Sequence, residues 1–168
     1  MRRALLAAVP VLVLAFMLQV SIVSRMMLLS GNADLILLVL AAWALQERAK
    51  GAWIWGIAAS LLAGLISGIP WYIYLVGYLS VVVVARLLIH RIWQAPLLAM
   101  FTVTLIGTLE LLMITFVRQT LFESALPFSD VFVQIILPSV LLNLLVAIPV
   151  HALVKDLANR LYPAEVVA

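Results

Sequence analysis

The sequence predicts an all-α integral membrane protein of six transmembrane helices, and three observations predict it. Apolar residues fill 67% of the 168 positions and charged residues only 10%, with a mean hydropathy of +1.28. A soluble domain carries about 25% charged residues, so this inventory cannot assemble a polar surface. The apolar sequence is broken at SRMMLLSGNAD, QERAKG, IPW, HRIWQAP and RQTLFESALPFSD into six segments, most of them near the roughly 20 residues that a helix needs to cross a bilayer. Finally, with those breaks on alternate sides, Arg2, Arg3, Arg48, Lys50, Arg86, Arg91, Lys155 and Arg160 fall on one side and only Arg25 and Arg118 on the other. By the positive-inside rule both termini are then cytoplasmic.

The first segment, Ala4–Val23, follows an arginine pair. MRRALLAAVPVLVLAF has the charged start and apolar run of a signal peptide, but it is read as the first transmembrane helix, with Pro10 tolerated through neighbouring contacts. The second, Asp34–Gln46, is too short to span alone. It is expected to extend through Glu47–Lys50 with snorkelling side chains or to sit in thinned bilayer, with Asn32 and Asp34 as N-cap candidates.

The third, Gly51–Gly68, places Gly56, Ser60, Gly64 and Gly68 at a strict spacing of four. Such a small-residue ridge lets another helix approach closely, whether from the same chain or from a partner. In the fourth, Tyr72–Ile89, Tyr74 and Tyr78 share a face and read as core. The fifth, Ala95–Val117, carries Glu110. The sixth, Val131–Val154, contains Pro138, Asn143 and Pro149. Its prolines imply bends, and Asn143 near mid-membrane implies an interhelical hydrogen bond worth about 0.5 to 2 kcal/mol. Trp43, Trp53, Trp55 and Trp93 fall toward the inner interface, Trp71 and Tyr72 toward the outer one. The stretch outside the spans, Arg118–Asp130, is too short for a soluble domain, so residues 1–168 read as one membrane domain.

Glu110 is the sharpest candidate for function, because ionisable groups inside spans are costly, about 2.5 to 3.5 kcal/mol for Asp at a helix centre. Counted from Ala95, it lies about 22 Å deep, in the outer half. Arg118 is about 12 Å further along the same helix, too far to pair directly. Gly64 and Ser139 reach a similar depth. Pro138 has no N–H and frees the carbonyl of Gln134, so that carbonyl and Ser139 are the expected partners of Glu110. Glu110, Ser139 and Asn143 are thus the intramembrane polar candidates.

Soluble-enzyme chemistry has no foothold. The chain has no cysteine, which excludes disulfides and thiolate metal sites. His90 and His151, far apart and each beside positive charges, read as interfacial or packed. No GxGxxG, Walker, HExxH or GxSxG pattern occurs. No catalytic residue, cofactor, metal ligand or nucleic-acid contact is expected. An intramembrane enzyme would need convergent groups, and no histidine or second carboxylate is placed at the depth of Glu110.

Taken in order, ADLILLVLAAWAL, the glycine-rich third span ending in GLISGIP, VGYL, the acid of the fifth span and LPSVLLNLLVAIPVHALVKDL resemble the rod shape-determining protein MreD family over almost the whole chain. The resemblance implies a non-catalytic subunit, in the bacterial inner membrane, of the machinery for lateral cell-wall growth. Its implied partners are the bitopic protein MreC and, through it, MreB filaments, the glycosyltransferase RodA and a class B penicillin-binding protein. It also implies a fold similar to the six-helix substrate-binding components of energy-coupling-factor transporters. Glu110, Ser67, Gly68, Asn143 and Pro149 match the family's pattern. Gly64 departs from it, standing where the family often has a second acid. The alternative expectation, from the same six-helix plan, is a substrate-binding membrane subunit of a vitamin-type transporter.

Overall fold

The computed structural model describes residues 2–47, 51–89, 95–123 and 126–162. Arg48, Lys50, His90, Arg91 and Trp93, which entered the topology above, lie outside the described residues. Those described are all-helical, with six helices and no strand: α1 (Arg2–Ser21), α2 (Leu35–Ala44), α3 (Ala52–Ile66), α4 (Trp71–Ile89), α5 (Pro96–Phe122) and α6 (Phe128–Leu161). Helices α4, α5 and α6 are long and apolar enough to cross a membrane.

The distribution of side chains suits a hydrocarbon surround. Leu14, Met17, Leu65, Leu87, Leu145 and Leu153 face outward, while Ser60, Thr104, Thr108, Ser139 and Asn143 are buried. Without a polar shell to offer lipid, the chain turns its hydrogen-bonding groups inward, where helices can satisfy one another.

The bundle is organised around its shortest helix. All ten residues of α2 are buried, and α2 packs against each of the other five helices. A helix that is apolar on every side belongs in a core, and ten residues rise only about 15 Å, half a bilayer. The helix expected over Asp34–Gln46 is therefore shorter, stopping at Ala44, and it is preceded by irregular backbone, residues 22–34, whose latter part lies against α6.

Other boundaries also move. Helix α5 continues to Phe122, so Arg118 is helical and pairs with Glu123 at 3.0 Å. Helix α6 begins at Phe128 and reaches Leu161, longer at both ends than expected. Trp43 and Trp55 do not belong to an interfacial belt. They are fully buried and stack at 4.1 Å with an interplanar angle of 13°, closing the end of the bundle where α2 finishes and α3 starts. Trp53, and at the opposite end Trp71 and Tyr72, are about half-exposed.

Candidate functional site

The irregular backbone between α1 and α2 is held by groups from distant parts of the chain. It opens with a 3-10 turn at Val23–Arg25. A tight turn follows, in which Leu28 and Gly31 exchange backbone hydrogen bonds of 3.0 Å and Leu29 adopts a positive φ of 55°. From there the chain runs along α6. The N–H groups of Ser30, Asn32 and Asp34 donate in turn to the Gln134 carbonyl at 3.0 Å, to Ser139 Oγ at 3.2 Å and to Asn143 Oδ1 at 2.7 Å. Alternate N–H groups of an extended segment point the same way, so three acceptors along one side of α6 satisfy them.

Local chemistry explains why α6 can do this. Residues Phe132–Ile136 form a π-helical turn, closed by the Leu137 N–H on the Phe132 carbonyl. Pro138 brings no N–H, so the Gln134 carbonyl is left for Ser30. Ser139 and Asn143 stand four apart on one face. Gly31 makes the approach feasible: a Cβ there would lie 2.7 Å from the Ser139 nitrogen and 2.8 Å from the Ile135 carbonyl. The amide of Asn143 is oriented by its second bond, Nδ2 donating to Thr108 Oγ1 of α5 at 2.8 Å.

From the other side, Gln19 of α1 clamps the same backbone. Its Nε2 donates to the Ala33 carbonyl at 2.8 Å and its Oε1 accepts from the Leu35 N–H at 2.7 Å. Asp34 is the N-cap of α2, Oδ1 accepting the Leu37 N–H at 2.9 Å. Its Oδ2 accepts the Tyr78 hydroxyl of α4, also at 2.9 Å. Tyr74 lies beside Tyr78, ring centroids 5.5 Å apart. The result is a polar seam joining α1, α2, α4, α5 and α6.

A cavity of about 410 Å3 adjoins the seam, with Gln19, Asp34, Tyr74, Tyr78, Thr108 and Asn143 in its wall. It offers hydroxyls, amides and phenols, and each oxygen of its carboxylate already takes a donor from the protein. A smaller cavity of about 260 Å3 lies at the other end, bordered by Gln46, Pro96, His151 and Lys155. His151 is packed, its Nδ1 buried without a hydrogen-bond partner among the described residues. Among the described residues, no three His, Cys, Asp or Glu side chains gather as metal ligands would.

The structure therefore brings Ser139 and Asn143 together and leaves Glu110 elsewhere. The expected partners of Glu110 are corrected: the Gln134 carbonyl and Ser139 are taken by Ser30 and Asn32. Glu110 instead accepts a hydrogen bond at Oε2 from Ser80 Oγ of α4, 2.5 Å away. Gly64 is not at hand either, because a Cβ on it would meet Trp71 Cβ at 2.5 Å and Cα at 2.6 Å where α4 begins. The small-residue ridge faces the same helix. A Cβ on Gly56 would touch Leu79, and Ser60 Oγ lies 2.6 Å from the Gly56 carbonyl and 3.2 Å from that of Tyr74. Gly68 is corrected as a packing position. Helix α3 ends at Ile66, and Gly68 turns the chain at φ 69° with nothing within 4 Å of where its Cβ would be.

Sequence reasoning missed Gln19, Thr108 and the second role of Asp34 and Tyr78. One signal for the seam was present, a proline four residues after Gln134 followed by Ser139 and Asn143 on one face, but it was assigned to the wrong partner. Comparison with protein-family models, with characterised proteins and with solved structures gives no match to this chain.

Proposed function

We propose that this chain is a non-catalytic subunit, in the bacterial cytoplasmic membrane, of a complex for lateral cell-wall elongation, of the MreD kind. It crosses the membrane with both termini cytoplasmic, α2 and its preceding loop together making one crossing. It binds an MreC-like bitopic protein and helps to position or regulate a RodA-type glycosyltransferase and a class B penicillin-binding protein beside MreB filaments.

The observation that carries this reading is the convergence of the resembling motifs. Asp34 of ADLILLVLAAWAL, the tyrosine of VGYL and the LPSVLLN segment are separated by up to 109 positions, yet they meet: the Tyr78 hydroxyl donates to Asp34 Oδ2 and the Asp34 N–H donates to Asn143 Oδ1. Residues tied into one seam depend on one another, which gives a physical reason for those motifs to occur together. The test is co-purification. The full chain, solubilised with an MreC-like protein from the same genome, should retain it through size exclusion at a fixed ratio. Separation under conditions that keep both proteins folded would defeat the proposal.

The cavity of about 410 Å3 favours a second reading, a substrate-binding transporter subunit. Native mass spectrometry of the purified chain distinguishes the two. A retained vitamin-sized molecule supports the transporter, and an empty protein that binds its MreC-like partner supports the scaffold.

A further inference from the structure

We propose that the outward face between α4 and α5 docks one transmembrane helix of the partner, and that this helix carries a hydrogen-bond-donating side chain (Arg, Lys, Asn or Gln) at the level of Glu110. The inference rests on the scaffold reading above and names the surface that reading leaves unassigned.

On their core side the two helices are drawn close, Gly77 against Leu111 and Gly107 against Val81. On the opposite side stands the pair Ser80 and Glu110, both only partly buried. Ser80 Oγ lies 2.7 Å from the Gly77 carbonyl and 2.5 Å from Glu110 Oε2. Glu110 Oε1 takes no hydrogen bond from any described residue. Around the pair the surface is apolar: Val83, Leu87, Ile106 and Met113 are 37 to 63% exposed. Their spacing, with Ser80 on one helix and Glu110 on the other, alternates threes and fours. That is the spacing of a helix seam able to receive a third helix.

Lipid tails can neither donate to a carboxylate nor solvate it, and acids within spans accordingly face a partner group. Inside this protein that role is half filled, by Ser80. A donor from outside completes it, and charge complementarity favours a basic or amide side chain.

The chain has no cysteine, so single cysteines can be introduced cleanly. In the co-purified full-length complex, Val83→Cys and Met113→Cys are paired with cysteines at successive positions of the partner's membrane helix and oxidised. Cross-links should recur every three to four positions of that helix, and Leu145→Cys on the exposed face of α6 should give none. Glu110→Leu should lower the co-purified partner about tenfold, and Glu110→Gln should leave it within about threefold. A wild-type complex that cross-links through Leu145→Cys alone, undiminished by Glu110→Leu, overturns this docking face and leaves the scaffold reading standing. Failure of the wild-type chain to hold the partner defeats both. Because the cysteine readout keeps Glu110 in place, misfolding of the leucine variant does not affect it.

Discussion

Gly31→Ala isolates the contact on which the loop between α1 and α2 depends. The added Cβ would sit 2.7 Å from the Ser139 nitrogen, 2.8 Å from the Ile135 carbonyl and 2.8 Å from Ser139 Oγ. Two of these atoms are helix backbone and cannot swing aside, so the loop must withdraw from α6. Overpacking of this kind costs about 1 to 3 kcal/mol, and rigid neighbours put it toward the upper end. Withdrawal also stretches the Ser30–Gln134 and Asn32–Ser139 hydrogen bonds, each worth about 0.6 kcal/mol between membrane segments. The sum is about 3 to 4 kcal/mol. Gly56→Ala is the control, since its nearest contact is the end of the Leu79 side chain at 3.1 Å, which can rotate, and about 1 kcal/mol or less is expected. Reversible unfolding in mixed micelles, followed by circular dichroism, measures both. If Gly31→Ala lies within 0.5 kcal/mol of the parent, or is the milder of the two variants, the loop is not held against α6 in the way described.

Four further variants test the seam and the helix contacts by the same unfolding measurement. Asn143→Leu strands the Asp34 N–H and the Thr108 hydroxyl and should destabilise by about 1 to 3 kcal/mol; a neutral result would mean that water or another group satisfies both. Tyr78→Phe removes only the hydroxyl bonded to Asp34 and should cost about 0.5 to 1.5 kcal/mol, nearly nothing when Asp34→Asn is already present if the two act through that one bond. Gly64→Ala places a methyl against the Trp71 backbone and should cost about 1 to 3 kcal/mol, whereas Arg118→Ala, which breaks a partly exposed pair with Glu123, should change stability by less than about 1 kcal/mol.

The parts of the fold that were legible in the sequence are those fixed by local composition. Helices α4 and α5 follow from apolar length, and Asp34 as N-cap follows from a side-chain oxygen just before an apolar run. What was misread turned on long-range partners. An apolar stretch of ten residues is more often a buried core helix than a span, so the length of α2 contained the right signal, which the surrounding hydropathy masked. Glu110 was placed on the right helix but given neighbours from α3 and α6. Its hydrogen-bond partner comes from α4, which packs along α5, and depth along an axis says nothing about which helix stands alongside. The loop's acceptors lie more than 100 positions away, beyond the reach of any periodicity. Gln19 shows the same limit: an amide near the end of α1 looks like an ordinary polar terminus until the backbone it clamps is seen beside it.

Depletion of this protein in the cell that encodes it, followed by imaging of cell shape and of new wall incorporation, tests the proposed function most directly. Rods should widen and round up while lateral incorporation falls, and a copy carrying Glu110→Gln should restore both better than one carrying Glu110→Leu. Cells that keep their rod shape and lateral growth, but lose uptake of a small molecule, would contradict the scaffold and leave the transporter in its place.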